Sequence, residues 1–232
     1  MTPSVSFVIP IYNEEPILHS AVVDLREQFG ALGRSFEIIL AENGSTDATL
    51  EVADKLERKY AEVRHFSIGE PNYGAALRGG IERASGEIVL CEEIDLCDVD
   101  FHARALTLLD TGDVDMVVGS KLLPGARDVR PLTRHVASLA YSGLLRAMLG
   151  FKGTDTHGLK AFRKSALLET VRGCIVDRDV FASELVIRAD REGVRIVEIP
   201  VRVMEKRVPS INLVRRVPGV VTRLAKLWWA VR

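Results

Sequence analysis

The sequence predicts an α/β protein with a Rossmann-like, mostly parallel sheet flanked by helices. Strand-like segments alternate with helix-like segments through the first half of the chain, and this order predicts parallel strands joined by helical crossovers. The chain has 232 residues, 47% of them hydrophobic, so it can bury one sizeable core. We therefore expect a single α/β domain over residues 1–211, followed by a C-terminal helix over 212–232.

The predicted elements follow from hydrophobic periodicity. The first three strands are predicted over Val5–Pro10, Phe36–Ala41 and Val63–Ile68, and the helices that follow them over Glu15–Gly30, Ala48–Tyr60 and Ala75–Ser85. Next come a strand over Glu87–Cys91, a helix over Phe101–Leu109 and a strand over Asp115–Gly119. The less regular second half predicts a helix over Arg134–Leu149, a short extended piece over Ala161–Arg163, a helix over Phe181–Glu192 and a strand over Arg195–Val203.

Composition excludes several classes of protein. The 31 Lys and Arg residues nearly balance the 32 Asp and Glu residues, so the overall charge indicates no nucleic-acid partner. Cys91, Cys97 and Cys174 form neither a CxxC pair nor an even set, which favours a reduced, cytoplasmic location. The N-terminus does not resemble a signal peptide, and no run approaches the ~20 apolar residues of a membrane span. We therefore expect the chain not to cross a bilayer.

The C-terminal segment is locally basic and amphipathic. From Arg202 to Arg232 it carries eight Lys or Arg residues and a single acid, Glu205. Its apolar residues recur at helical spacing: Leu213, Val214, Val217, Val220, Val221, Leu224, Leu227, Trp228 and Val231. Two interpretations remain open, because this stripe can pack on the domain or can lie in a membrane interface with Trp228 and Trp229 at headgroup depth.

The loops after the first, second and fourth strands are expected to carry the chemistry, since ligands of open parallel sheets bind beyond the carboxyl ends of the strands. The first strand runs into PIYNEE, with no glycine-rich GxGxxG turn, which disfavours a nicotinamide or flavin enzyme. After the second strand, Gly44 permits a tight turn, and Ser45 or Asp47 can cap the next helix. After the fourth, Glu93 and Asp95 are two residues apart, so on an extended chain they share a side and can bind one divalent cation.

These stretches together resemble family 2 glycosyltransferases, and most closely the dolichol-phosphate mannose synthase and polyprenyl-phosphate glycosyltransferase group. The resemblance covers residues 5–212 and depends on the order and spacing of its parts. The matching pieces are VIPIYNEE, ENGSTDAT, Asn72-Tyr73-Gly74-Ala75-Ala76-Leu77, Gly79, Ala84-Ser85-Gly86, EID, Gly119-Ser120-Lys121, Arg134 with Ser138, Asp155, Gly158-Leu159-Lys160-Ala161-Phe162-Arg163, Glu184-Leu185, Glu198-Ile199-Pro200-Val201, and Arg207 with Ser210. The resemblance implies the A-type glycosyltransferase fold and a reaction that inverts the anomeric centre.

The resemblance also implies a role for each matching residue. The residues implied to hold the nucleotide are Pro10, Tyr12, Glu14 and Glu42. Glu93 and Asp95 would lie at a Mg²⁺ or Mn²⁺ ion and the donor phosphates. The implied catalytic set is Asp95, Lys121, Arg134 and Arg207, whose three cations would face the phosphates. The chain differs from the family pattern where Glu42-Asn43 stands for two aspartates, Glu93-Ile94-Asp95 for Asp-x-Asp, and Lys121 for an arginine.

The predicted function is transfer of a hexose from a GDP- or UDP-sugar to a polyprenyl- or dolichyl-phosphate acceptor, by a cytoplasmic protein in peripheral contact with the cytosolic face of a membrane. One alternative is transfer to a soluble or saccharide hydroxyl, which would need a carboxylate base such as Asp155 or Glu184. The other alternative is a non-catalytic nucleotide-binding homologue. His157 is expected to be a loop residue, and no second histidine at ligand spacing supports a zinc site.

Overall fold

The computed structural model describes residues 3–96, 98–129, 131–203 and 224–231. The strands are β1 (Val5–Ile11), β2 (Phe36–Glu42), β3 (Val63–Ser67), β4 (Ile88–Cys91), β5 (Met116–Ser120), β6 (Arg127–Asp128), β7 (Lys160–Arg163), β8 (Ile196–Pro200) and β9 (Arg202–Val203). The helices are α1 (Glu15–Gly30), α2 (Thr49–Lys59), α3 (Tyr73–Arg83), α4 (Val99–Asp110), α5 (Leu132–Leu149), α6 (Lys164–Gly173), α7 (Phe181–Arg191) and α8 (224–230). A short 3-10 turn at Arg178–Val180 precedes α7.

The main sheet confirms the predicted mostly parallel architecture. Within the described residues it has seven strands in the order β3-β2-β1-β4-β7-β5-β8. Strand β7 is antiparallel to both of its neighbours, β4 and β5, whereas the remaining pairs are parallel. Strands β6 and β9 form a small separate parallel pair.

The core lies in two layers, one on each face of the main sheet. Along β1, Phe7 and Ile9 face the layer that contains α1, α2 and α4, while Val8 faces the layer that contains α3 and α5 to α8. This alternation follows from the two-residue period of a strand. Because helices cover both faces, β1 is buried at every position.

The end of the sheet differs from the sequence prediction. The single strand predicted over Arg195–Val203 is wrong, because the chain forms β8 and then β9 with Val201 between them. Strand β5, the partner of β8, ends at Ser120, so the chain beyond Val201 pairs with β6 instead. Helix α6 was also missed. Of the predicted C-terminal helix, 212–223 lie outside the described residues and 224–230 are helical.

A glycine pair fixes how closely the loop before β7 approaches β5. A Cβ atom on Gly158 would lie 1.6 Å from the carbonyl oxygen of Gly119. A Cβ atom on Gly119 would in turn lie 2.5 Å from Cγ1 of Val201. The backbones therefore meet at a distance that a larger residue cannot occupy without moving main chain.

We expect Gly158→Ala to lower the free energy of unfolding by about 3 kcal/mol or more, because its methyl group meets backbone that cannot move aside. Gly30→Ala is the matched control, since a Cβ atom there meets nothing within 4 Å. Urea unfolding followed by circular dichroism measures both variants. Equal stabilities of the two variants would contradict the close approach.

Candidate active site

A cavity of about 350 Å³ opens beyond the carboxyl ends of β4 and β5. Its charged and polar side chains come from the turn after β4, the end of β5, helix α5, the loop before β7 and strand β9. They are Glu93, Asp95, Lys121, Arg134, Asp155, His157 and Arg202, and the chain from Val201 to Val203 closes one side. The structure thus brings together four of the residues that the sequence singled out for metal and phosphate contacts.

Glu93 and Asp95 share this cavity for a different reason from the one expected. The sequence argument placed them on an extended chain, but residues 94–96 form a turn in which the Leu96 N–H donates to the Glu93 carbonyl oxygen at 3.0 Å. Asp98, which follows the turn, caps α4 by accepting from the Phe101 N–H at 3.2 Å. Asp98 also accepts from the Arg202 N–H at 3.1 Å, so it ties the acidic turn to β9.

The carboxyl group of Glu93 lies in a desolvated position at the cavity wall. Burial raises its pKa, the hydroxyl of Tyr73 opposes this rise by donating at 2.7 Å, and the nearby Asp95 carboxylate adds to it. The net effect raises the pKa of Glu93 to about 7. Nearby cations therefore compensate only part of the negative charge that this turn collects.

Lys121 and Asp155 form an ion pair across the cavity. The Lys121 Nζ lies 2.8 Å from Oδ2 of Asp155, and the His157 N–H donates to the other carboxylate oxygen at 2.9 Å. Burial alone would raise the pKa of Asp155, but Lys121 and these hydrogen bonds outweigh it and hold the pKa below its usual range. Asp155 is therefore a stable anion that orients Lys121.

The loop that carries Asp155 is held by the carboxylate of Glu198 on β8. This carboxylate accepts from the Thr154 N–H at 2.7 Å and from the Asp155 N–H at 3.1 Å. The Thr154 hydroxyl also donates to it and lies 2.6 Å from the hydroxyl of Ser120. Glu198 thereby fixes the position of the Lys121–Asp155 pair.

Lys160 places a buried cation beneath the cavity. It is only 3% exposed, and its register against Cys91 and Val118 puts it level with the ends of β4 and β5. Its Nζ donates to the Gly158 carbonyl oxygen at 2.7 Å. Burial lowers the pKa of Lys160, while the charges of Asp155 and Glu93 act against that shift.

The four predicted nucleotide-binding residues lie at the ends of β1 and β2 and are not part of the cavity lining. Pro10 is buried in β1, Tyr12 is exposed, and Glu14 is half-buried at the start of α1. Glu42 is buried, and its carboxylate accepts from the Ser45 N–H and the Ser67 hydroxyl. In this structure Glu42 shapes the loop after β2, and a direct contact between these four residues and a nucleotide stays a prediction.

The loops after β1 and β2 are locked together by side chains that bond to the facing backbone. Asn13 accepts from the Thr46 N–H at 2.8 Å, and its own N–H donates to the Ser45 hydroxyl at 3.0 Å. The Glu14 N–H donates to the Thr49 hydroxyl at 2.7 Å. Gly44 has a φ of 78°, which confirms the tight turn predicted there. The two loops therefore form one rigid edge of the sheet.

Arg207, which was predicted to contact the phosphates, lies outside the described residues. Several other residues contribute to the site although the sequence reasoning did not assign them to it. Tyr73, Lys160 and Glu198 each occur within a motif quoted for the family resemblance, but nothing in their spacing indicates their contacts. His157, expected to be a loop residue, lies in a loop and lines the cavity, with its ring 4.9 Å from the Tyr141 ring. Glu184, considered as a base, is fully buried and binds the Ile175 and Val176 N–H groups and Arg188.

The acidic turn is suited to a divalent cation shared with a phosphate ligand. Glu93 and Asp95 supply carboxylate oxygens, which hard cations prefer, and a bound cation would stabilise the charged form of Glu93, whose pKa is raised by burial and by the Asp95 charge. No group of three or more His, Cys, Asp or Glu side chains is arranged around a common metal position in the described ranges. A cation held by two carboxylates needs its remaining ligands from phosphate or water, as is usual for Mg²⁺.

The site lies in a chain whose sequence matches a known family. The family described as glycosyl transferase family 2 matches residues 6–170, which is most of the chain. The chain belongs to this family. The match confirms the predicted relation to family 2 glycosyltransferases, and the acidic turn and the Tyr73 helix lie inside the matched region.

Relatives of this family 2 glycosyltransferase include proteins that are named for glycosyl transfer. The chain is 34% identical over 232 residues to glycosyltransferase AglD of Haloferax volcanii, covering 97% of this chain and 37% of AglD. It is 29% identical over 239 residues to an undecaprenyl-phosphate mannosyltransferase of Micrococcus luteus, covering 97% and 96%. A low-salt glycan biosynthesis hexosyltransferase, Agl6 of Haloferax volcanii, is 30% identical, and the chain spans 48% of it. The chain thus spans less than half the length of AglD and of Agl6.

Solved structures share the fold. Glucosyl-3-phosphoglycerate synthase from Mycobacterium tuberculosis, in complex with Mn²⁺, UDP and glucosyl-3-phosphoglycerate, superposes with a TM-score of 0.70 at 22% identity. The match covers 97% of this chain and 80% of that one. This likeness confirms the predicted A-type glycosyltransferase fold.

No helix in the described part of this family 2 glycosyltransferase combines the length and the apolar character needed to cross a membrane.

The charge deficit at Glu93 predicts how stability depends on pH. Its folded pKa of about 7 lies above the usual 4.5, so the folded state binds the extra proton and the wild type loses stability as pH rises from about 4.5 to 7. Glu93→Gln keeps an acceptor for the Tyr73 hydroxyl but carries no charge. We expect the variant to gain up to about 3 kcal/mol over the wild type across that range, with no further gain above pH 7.

Thermal melts of both proteins from pH 4.5 to 8.5 in metal-free buffer measure this difference. Adding Mn²⁺ at pH 8 is expected to stabilise the wild type more than the variant, since the cation supplies the missing positive charge. A pH-independent difference between the two proteins would contradict the raised pKa, and equal responses to Mn²⁺ would contradict the metal assignment.

Proposed function

We propose that the protein transfers a hexose from a GDP- or UDP-sugar to a polyprenyl-phosphate acceptor, inverting the anomeric centre. The observation that carries this proposal is the composition of the cavity, where the carboxylates Glu93 and Asp95 face the cations Lys121 and Arg134. A nucleotide-sugar brings two phosphates, and its departure leaves negative charge on the nucleoside diphosphate. A metal ion and fixed cations stabilise that charge.

The state of the carboxylates favours a phosphate acceptor. An acceptor hydroxyl needs a general base, whereas a phosphate monoester is already anionic and mainly needs to be positioned. Asp155 is committed to Lys121 and has a lowered pKa, so it is a poor base. Glu184 has no exposed surface and both of its oxygens accept hydrogen bonds, so it cannot reach a substrate.

A relative supports the same acceptor class. The Micrococcus luteus protein, which this chain matches along nearly its whole length, is named for mannosyl transfer to undecaprenyl phosphate. A polyprenyl phosphate is therefore the first acceptor to test. The contacts that the donor makes with the protein decide which sugar and which base it carries. Both are therefore varied in the substrate panel.

In the proposed reaction Glu93 and Asp95 hold a Mg²⁺ or Mn²⁺ ion, which as a Lewis acid stabilises the leaving diphosphate. Arg134 projects from α5 into the cavity and binds the acceptor or donor phosphate. Lys121 is held towards the same space by Asp155. Arg207 is assigned to the phosphates from the family resemblance. Pro10, Tyr12, Glu14 and Glu42 are assigned to the nucleotide at the neighbouring edge of the sheet.

Transfer to a hydroxyl acceptor is the second candidate, and His157 is the observation that favours it. Its side chain lines the same cavity as Glu93 and Asp95, and an imidazole can accept a proton near neutral pH. The glucosyl-3-phosphoglycerate synthase that shares the fold is named for a soluble product. A base at His157 would allow a soluble acceptor here.

Substitution of Asp95 tests the proposed cation site. With a panel of GDP- and UDP-sugars, Mg²⁺ or Mn²⁺ and a short polyprenyl phosphate, we expect a lipid-linked sugar and free nucleoside diphosphate. Asp95→Asn is expected to lower kcat at least about 100-fold, because it removes a charge that holds the cation. Asp100→Asn is the control, since Asp100 is exposed on α4 and paired with Arg104. Loss of turnover in both variants, or in neither, would contradict the assignment.

Substitution of His157 separates the two acceptor classes. His157→Gln is expected to keep the turnover of polyprenyl phosphate within about threefold, because no base is needed for that acceptor. With hydroxyl acceptors such as 3-phosphoglycerate or a simple saccharide, we expect no transfer by the wild type. Turnover of a hydroxyl acceptor that His157→Gln abolishes would establish the second candidate in place of the first.

A further inference from the structure

Helix α5 turns an apolar face outward. The exposed positions along the helix recur every three or four residues and so form one stripe. The stripe consists of Leu132, Val136, Leu139, Ala140, Gly143, Leu144, Ala147 and Met148. Val129, just before the helix, extends it and is 69% exposed. Thr133 and Arg146 are the exposed polar residues of the same helix.

This exposure is too extensive for scattered surface residues. Leu132 is 75% exposed, Val136 55% and Leu139 51%, although all three are large aliphatic side chains. The opposite side of α5 packs normally, since Leu145 and Leu149 belong to the core. A contiguous apolar patch of this kind marks an interaction site, because leaving it in water is unfavourable.

Helix α8 packs on the same face of the main sheet as α5. Leu224 and Leu227 of α8 pack in the same core layer as the inner side of α5. Helix α7 links the two, since Arg191 donates to the Leu149 carbonyl oxygen at 2.8 Å and Arg188 donates to the Ala230 carbonyl oxygen at 2.7 Å. On α8, Trp229 is 74% exposed. Two helices that contact α7 on this face of the sheet thus present apolar side chains to the outside.

The parts of the sequence that contain α5 and α8 carry more positive than negative charge. From Lys121 to Lys152 the chain has six Lys or Arg residues and one acid, Asp128, although the whole chain is nearly neutral. The segment from Arg202 to Arg232, which contains α8, has eight Lys or Arg residues and one acid. An apolar stripe within a cation-rich part of the chain, together with an exposed tryptophan on α8, complements the interface of an anionic lipid bilayer.

We propose that the outward stripe of α5, together with Trp229, lies in the interface of an anionic lipid membrane. Arg134 is on the first turn of the same helix and lines the cavity, so this orientation brings the cavity to the headgroup level. A polyprenyl phosphate would then reach Arg134 without leaving the bilayer. That the bound membrane is the one that contains the acceptor rests on the proposed function. That the protein binds lipid rests only on the stripe and the charges.

The test uses the full chain and vesicles of phosphatidylcholine, with or without phosphatidylglycerol, in a sedimentation assay. We expect the wild type to bind the anionic vesicles and to bind the neutral ones less well. The double variant Val136→Glu with Leu139→Glu is expected to reduce the partition coefficient at least about tenfold, because two exposed aliphatic side chains that would enter the lipid are replaced by charges that anionic lipid repels.

Leu50→Glu is the matched control. Leu50 is 43% exposed on α2, whose inner residues Ala53 and Leu56 pack in the opposite core layer. We expect this variant to bind vesicles as the wild type does. Circular dichroism melts check that all three proteins are folded, which is expected because the substituted side chains are exposed.

Two results would overturn the inference. The first is vesicle binding by the double variant equal to that of the wild type, or no binding by either. The second is a wild-type dimer in sedimentation velocity that the double variant converts to a monomer with no change in lipid binding, since the stripe would then be an interface between two copies of the chain.

A detergent assay separates this inference from the proposed function. With short polyprenyl phosphate dissolved in detergent, the double variant is expected to keep wild-type turnover, because neither substituted side chain lies in the cavity. If the protein turns over the acceptor in detergent but its vesicle binding does not depend on the stripe, the membrane inference is wrong and the proposed function stands. If its vesicle binding depends on the stripe but no lipid-linked product forms, the proposed acceptor is wrong and the membrane inference stands.

Discussion

The insertion of β7 between β4 and β5, antiparallel to both, is the constraint on which the rest of the site depends. Its first residue, Lys160, is in register with Cys91 on one side and Val118 on the other. The acidic turn that follows β4 and the Lys121 that follows β5 are therefore separated by the width of one strand. The loop entering β7 carries Asp155 and His157 into the gap, and Gly158 lets it pass against Gly119 without a steric clash.

The electrostatics of the cavity follow from this arrangement. Asp155 is neutralised by Lys121, and the buried Glu92 below the turn is hydrogen bonded to the buried His102 at 2.7 Å. Glu93 lies in a buried position beside Asp95, and this burial, together with the Asp95 charge, raises its pKa to about 7. A proton or a divalent cation can supply positive charge there. This concentration of carboxylates suits a metal ion that binds together with an anionic ligand.

The two sides of the site differ in how they are built. The edge formed by the loops after β1 and β2 is held by hydrogen bonds between side chains and backbone, such as those of Asn13 with Thr46 and Ser45. The cavity side is held by ion pairs and by Glu198 on β8. In the proposed function, the first arrangement would support the base or ribose of the donor, and the second would supply charges for its phosphates. Helix α5 joins the second side to the apolar outer surface.

The sequence by itself determined the succession of strands and helices in the first half, down to the bounds of α1, because periodicity of two or 3.6 residues is a local property of the chain. It also located the acidic turn, since Glu93 and Asp95 directly follow a strand. Only the tertiary structure decided which residues surround that turn. Tyr73, Lys160 and His157 reach it from other elements, and the break between β8 and β9 follows from where β5 ends. Pairing partners and burial depend on contacts between distant parts of the chain, and no local pattern encodes them.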